Sequence, residues 1–209
     1  MGAPPASPAP LPLFQQAEQW FQRAHAALLE TLPCSRGCSH CCIGPFPITC
    51  LDALELQHGL QTLPEPKRLR IVATARRQVE LLETAYPALR STPSLDKWRD
   101  EAIDIMVERF SDLPCPALST DGSCCIYRFR PFTCRTMGIP TEAGGTVAGA
   151  CTVQTAVPIL RLSAALRQEE RLLSTEESVC LSILTQTQRT SGEEILLPYG
   201  FLVSLDTTP

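Results

Sequence analysis

The residues of this chain best suited to chemistry are its cysteines, most of which fall into two groups. The first group, residues 34–42, reads CSRGCSHCC, and the second extends over residues 115–151. Cysteines separated by two or three residues can hold one ion from a single turn, and Gly37 gives the backbone freedom there. Thiolates favour zinc, copper(I) and iron–sulfur clusters over magnesium or calcium. The pattern predicts a metal site to which both groups contribute, so the two groups must meet in space.

A disulfide framework is the alternative that so many cysteines would permit. The count of eleven is odd, and the neighbouring pairs Cys41–Cys42 and Cys124–Cys125 can rarely bond to each other without strain. Residues 1–12 contain no Lys or Arg, and no unbroken apolar run of signal-peptide type follows them. We therefore expect a reducing, cytoplasmic setting, in which stable disulfides are rare.

Three cysteines and one histidine need separate interpretation. Cys50 and Cys180 stand alone in segments predicted to be helical, where a cysteine usually serves as a small hydrophobic residue. Cys125 is open to either interpretation, as a ligand or as a packing residue. His40 lies within the first group and is either a ligand or a solvated loop side chain.

The elements that must position these residues are predicted to be mostly α-helical, with little or no sheet. We expect a flexible Pro-rich leader over residues 1–12, one helical cysteine-cluster domain over 13–190 and a C-terminal tail, 191–209, that is apolar enough to dock. Thr49 and Asp52 predict a capping box at the start of a helix that Gly59 ends. The remaining predicted features are helices over 13–32, 66–86 and 152–173, helices that begin after Pro93 and at Ser174, a strand over 123–127 and a turn at 144–145.

The two cysteine groups resemble those of the YkgJ-type proteins, whose CxxCxxCC domain is described as zinc- or iron-chelating. The likeness covers about residues 30–155 and includes the Thr49–Asp52 helix start, the Arg130-Pro131 pair and the Cys134-Arg135 pair. One departure is the spacing between Cys34 and Cys38, which is three residues where the family has two. The resemblance implies eight candidate metal ligands: Cys34, Cys38, Cys41, Cys42, Cys115, Cys124, Cys134 and Cys151.

Arginines flank these cysteines, and Arg130 and Arg135 also match the family. A guanidinium near a thiolate cluster would offset its negative charge and donate hydrogen bonds to sulfur. We therefore expect Arg130 and Arg135 to help bind the cofactor by contacting its thiolate ligands. The other interpretation is a solvated basic face formed by the four arginines Arg36, Arg128, Arg130 and Arg135.

The predicted function is metal binding through clustered cysteines, with iron, as an ion or iron–sulfur cluster, or zinc as the metal. The net charge of −4 and pI of about 5.4 disfavour a nucleic-acid partner, and no stretch has the roughly 20 apolar residues that span a membrane. A cluster-dependent enzyme similar to flagellin lysine N-methylase, and a thiol redox sensor, are the alternatives. No nucleotide-binding or hydrolase motif supports an enzyme, and the sequence does not name a protein partner.

Overall fold

The computed structural model describes residues 11–28, 37–139, 141–143, 146–148, 162–188 and 192–203, with the side chains of 141–143, 146–148 and 188 excepted. Cys34, Arg36, Cys151, most of the predicted leader and the predicted turn at 144–145 lie outside these residues. The described helices are α1 (Pro12–Ala27), α2 (Cys50–Gln61), α3 (Glu65–Ala85), α4 (Ala88–Ser91), α5 (Asp100–Arg109), α6 (Phe132–Thr136), α7 (Ala164–Gln188) and α8 (Leu197–Gly200). Short 3-10 helices span His40–Cys42 and Tyr127–Phe129.

The fold is mostly α, as predicted. Strands in the described segments form two antiparallel pairs: β1 (Pro47–Thr49) with β4 (Glu194–Leu196), and β2 (Thr141–Ala143) with β3 (Thr146–Ala148). In the first pair, Ile48 lies opposite Ile195. Within the described segments, no helix combines the length and apolarity needed to cross a bilayer.

Helix α2 lies between two apolar cores and is buried on nearly all sides, which is why it carries no clean amphipathic pattern. On one side, Leu56 packs in a core that α3 and the C-terminal segment share. On the other, Leu51 packs with Phe14 and Trp20 of α1 and with residues of α7. Cysteine loops that contact α2 are therefore attached to a helix that is buried along most of its length.

The predicted capping box at the start of α2 is present. The Asp52 amide donates to Thr49 Oγ1 and the Thr49 amide donates to Asp52 Oδ2, both at 3.1 Å. The predicted end at Gly59 is wrong, because α2 continues to Gln61. Gly59 instead lies where α2 meets the second cysteine loop: a Cβ there would stand 2.7 Å from Phe129 Cβ.

Two other predicted helix boundaries are also wrong. No helix begins after Pro93, since Ser94 pairs with Ile195 as an isolated bridge and the Leu95 amide donates to Glu194 O; α5 begins only at Asp100. The predicted capping box at Ser174 does not form, because Ser174 is an exposed residue inside the continuous helix α7. Exposed Ser and Glu at capping-box spacing are equally compatible with a helix surface.

Residues 192–203, the described part of the predicted C-terminal tail, dock as the composition of the tail indicated. β4 pairs with β1, and Leu196, Leu197 and Phe201 are buried in the core shared with α2 and α3. The Asp96 carboxylate accepts hydrogen bonds from the amides of Glu193 and Glu194, which ties the start of β4 to the loop before α5.

Candidate metal centre

The two cysteine groups meet through their backbones. The Cys115 amide donates to Cys42 O and the Gly44 amide donates to Leu113 O, both at 2.7 Å, and Ile43 forms a bridge with Pro114. These bonds form an irregular antiparallel contact between residues 42–44 and 113–115. As predicted, segments far apart in the sequence bring their cysteines to one place.

Cys124 is held by a tight turn that precedes it. Cys124 forms a bridge with Leu118, and Asp121 Oδ1 accepts from the amide of Ser123 at 3.0 Å. Gly122 has φ of 80°, and a Cβ at this position would lie 2.8 Å from the Gly37 carbonyl oxygen. Only glycine satisfies both the left-handed conformation and the close approach of the first loop. The predicted strand over 123–127 is wrong, because the chain turns into the 3-10 helix Tyr127–Phe129.

Cys134 is positioned by α6, a five-residue helix whose first amide is bound by α2. The Phe132 amide donates to Asp52 Oδ1 at 2.6 Å. Asp52 is only 1 % exposed and uses its other oxygen in the capping box. One buried carboxylate therefore caps α2 and fixes α6, and burial raises its pKa to about 6.

Four thiols, those of Cys41, Cys115, Cys124 and Cys134, lie close enough for their charges to interact. Burial raises the pKa of Cys134 well above its usual range, and the charges of Cys115, Cys124 and Cys41 raise it further. Burial also raises the pKa of Cys115 to about 12, and Cys124 adds to this effect. The pKa of Cys124 is raised first by burial and also by Cys41. All four are therefore protonated thiols near neutral pH in the absence of a metal.

Cys41 also interacts with its neighbour in the chain. A hydrogen bond with the Cys42 side chain is the main cause that raises the pKa of Cys41, followed by burial. Cys38 is half-buried at the entrance to the same 3-10 turn. The described cysteines of the two groups are free thiols, not disulfides: Cys38, Cys41, Cys42, Cys115, Cys124, Cys125 and Cys134.

Arg130 lies beside the thiols, and its positive charge favours the thiolate forms of Cys41 and Cys124 by lowering their pKa values. Arg135 is 1 % exposed and donates to Glu18 Oε2 at 2.6 Å, to Arg128 O at 2.8 Å and to Arg130 O at 3.1 Å. Arg130 can therefore act on the charge of a thiolate at Cys41 or Cys124, in line with its predicted role. The hydrogen bonds of Arg135, in contrast, stabilise the loop that carries the cysteines.

The remaining cysteines and His40 lie at the edge of this arrangement. Cys50 is 6 % exposed in the core between α1 and α2, and Cys180 packs against the same core from α7. The Cys125 sulfur accepts from Arg70 Nη2 at 3.4 Å, and the charge of Cys125 raises the pKa of Cys124. His40 is exposed. The ligand or bystander roles of these residues remain predictions.

The donor set suits a soft metal, since four thiols share one neighbourhood and a cation lies beside them. Among the described side chains, however, no three Cys, His, Asp or Glu groups stand in a ready ligand arrangement. Binding there would require the thiols to turn inward and to release protons. Two further candidate ligands, Cys34 and Cys151, lie outside the described residues.

Sequence reasoning missed two carboxylates that organise the site. Asp52 was identified only as a capping residue, and its bond to the Phe132 amide crosses 80 positions of sequence. Glu18, on α1, binds both Arg130 and Arg135. In the sequence, Glu18 is an acidic residue on a helix with a regular apolar face. Such a residue usually lies on the solvent-exposed face of the helix, so nothing in the sequence indicated its contacts with the arginines.

Comparison with known families identifies the family of the chain. Residues 33–152 match the CxxCxxCC family, described as a "putative zinc- or iron-chelating domain". Comparisons with curated proteins and with solved structures yield no match. The matched residues make up more than half of the chain and include both cysteine groups, Arg130 and Arg135. The chain therefore belongs to the CxxCxxCC family of zinc- or iron-chelating domains.

Proposed function

We propose that this protein binds iron or zinc through the thiolates of Cys41, Cys115, Cys124 and Cys134. The observation that carries the proposal is the pair of 2.7 Å backbone hydrogen bonds, Cys115 N–H to Cys42 O and Gly44 N–H to Leu113 O, that join the two cysteine groups. The effect of the other three thiols on the pKa of Cys134 is consistent with it. Four thiolates complete either a structural zinc site or one four-iron cluster. Family membership supports the same two metals.

Iron is the metal we favour. The two cysteine groups have more thiols than one zinc ion requires, because they also contain Cys38, Cys42 and Cys125. Arg130 adds a buried positive charge beside Cys41 and Cys124, and this charge would offset an anionic cluster. The cytoplasm, a reducing compartment, suits a protein whose described cysteines of the two groups are free thiols.

The other four cysteines that match the family have supporting places in this proposal. Cys38 and Cys42 lie in the first group beside Cys41, where they can exchange with a ligand or hold a second ion. Cys34 and Cys151 complete the predicted set of eight, which would serve two ions. Metal content per chain separates one centre from two.

The test is anaerobic purification followed by elemental analysis, sulfide determination and a visible absorption spectrum. Iron with an equal amount of labile sulfide and a brown colour indicates a cluster, and colourless protein with zinc indicates a zinc site. Cys134→Ser should lose the metal, and Cys180→Ser is the matched control that should keep it. The proposal fails if wild-type protein contains neither metal and binds neither on reconstitution, or if Cys134→Ser binds as wild type does.

A further inference from the structure

Glu18 of α1 joins a helix outside the matched family domain to the loop that carries Cys124 and Cys134. Its Oε2 atom lies 2.6 Å from Arg135 Nη1 and 2.9 Å from Arg130 Nη2. The two guanidinium groups are buried, and the Glu18 side chain is 24 % exposed. A single carboxylate therefore holds two buried cations in place, and nothing in the metal-binding pattern of the family accounts for it.

Arg130 belongs to the second cysteine loop, four residues before Cys134, and is also in contact with α1. Its guanidinium stacks 3.9 Å from the Tyr127 ring centre and 5.2 Å from the Phe21 ring centre, so a second residue of α1 also contacts it. The charge of Arg130 also lowers the pKa of Cys41 and of Cys124. Its Nη2 atom is at ion-pair distance from Glu18 but is not aligned for a hydrogen bond with any described group.

We propose that Glu18 is a positioning residue of the metal centre, which holds Arg130 beside the thiolates so that the docked helix α1 slows metal release. The inference rests on the proposed function. A centre of four thiolates is anionic with either metal, and a fixed cation beside it lowers the free energy of the metal-bound form. Without Glu18, Arg130 keeps its contacts with Tyr127 and Phe21 but loses its only described carboxylate partner, so its guanidinium is held less firmly.

This arrangement links α1 docking to metal binding in both directions. If docked α1 favours the bound metal, bound metal must favour docked α1 by the same factor. The chelating domain of the family is thus supplemented in this chain by a helix that precedes it. The expected consequence is kinetic: the metal should leave more slowly when Glu18 is present.

The test measures zinc transfer from the zinc-loaded full-length protein to a colorimetric chelator in excess. Glu18→Gln should release zinc about tenfold faster, the lower end of the loss that follows removal of outer contacts in metal sites. The matched control is Arg23→Gln, which removes the exposed Arg23–Glu169 pair between α1 and α7 but leaves Arg130 alone. The control should release zinc as wild type does.

A double-mutant cycle separates positioning from general loosening of the fold. Glu18→Gln should have a smaller effect in Arg130→Gln than in wild type, because the part that acts through Arg130 is already lost and only the bond to Arg135 remains. Additive effects, or wild-type release by folded Glu18→Gln, would overturn the inference. If Glu18→Gln does not fold, Glu18→Asp replaces it in the test, because this variant keeps the charge on a shorter side chain. A zinc-release rate between those of wild type and Arg130→Gln supports the inference, and a wild-type rate overturns it. Wild-type protein that binds no metal would refute the proposed function instead.

Discussion

Replacement of Glu55 by glutamine should change how the stability of the protein depends on pH. Glu55 lies on α2 with no exposed surface, and its Oε1 atom has no hydrogen-bond partner among the described groups. Its Oε2 atom accepts from the Leu11 amide at 3.2 Å, and Arg135 Nη2 lies 3.8 Å from Oε1. Burial outweighs these two interactions and raises the pKa of Glu55 from 4.5 to about 7.

The sign follows from which state holds the proton more tightly. The folded protein binds the Glu55 proton more tightly than the unfolded chain does. Below about pH 4.5 Glu55 is protonated in both states, so its ionisation does not lower the free energy of unfolding. As the pH rises from 4.5 to 7, ionisation stabilises the unfolded chain first, and the free energy of unfolding falls. One pKa unit corresponds to 1.36 kcal/mol, so the loss attributable to Glu55 is about 3 kcal/mol.

The assay is urea unfolding of metal-free wild type and Glu55→Gln at pH 4.5 and pH 8. Glutamine can accept the Leu11 bond and cannot ionise, so the variant should gain about 3 kcal/mol relative to wild type between the two pH values. Glu80→Gln, a change at an exposed position of α3, controls for the substitution itself. A difference between Glu55→Gln and wild type that is the same at both pH values would refute the reasoning.

Three further predictions concern the metal and its supports. Removal of metal by a chelator under anaerobic conditions should lower the melting temperature, and added iron or zinc should restore it, because ligand binding contributes to folding free energy; an unchanged melting curve contradicts the proposed function. Cys50→Ala and His40→Ala should keep the wild-type metal content measured by elemental analysis, since one side chain is buried between α1 and α2 and the other is exposed. Gly59→Ala should destabilise the protein by about 1–2 kcal/mol in urea unfolding, because its Cβ would overlap Phe129 and the gain in helix propensity offsets only part of that cost. Equal or greater stability of the variant would show that the loop around Phe129 shifts to make room without loss of stability.

Features that depend on a few neighbouring residues were predictable from the sequence. The capping box of Thr49 and Asp52 needs only two side chains three positions apart, and it forms as expected. The apolar face of α1 follows its helical spacing, with Phe14, Ala17 and Trp20 all buried. Helix ends were less predictable, because Gly59 and Pro93 are local signals that packing overrode.

The two cysteine groups illustrate the same division. Spacing and residue type indicated that thiols of both groups serve one metal site, since no turn of either group alone supplies an evident closed ligand set. Which thiols lie together depends on bonds between distant segments: Cys42 with Cys115, and Asp52 with Phe132. No periodicity within either segment encodes such a bond.

The sequence by itself determined the chemistry of this protein: soft thiolate donors in two groups, mostly helical supports and membership of a chelating family. The tertiary structure decided the grouping of Cys41, Cys115, Cys124 and Cys134, and the place of Glu18 against two buried arginines. The physical reason is range. Helix caps and apolar faces arise from interactions a few residues apart, whereas the position of a thiol or a buried charge is set by chain segments that meet only when the core is packed.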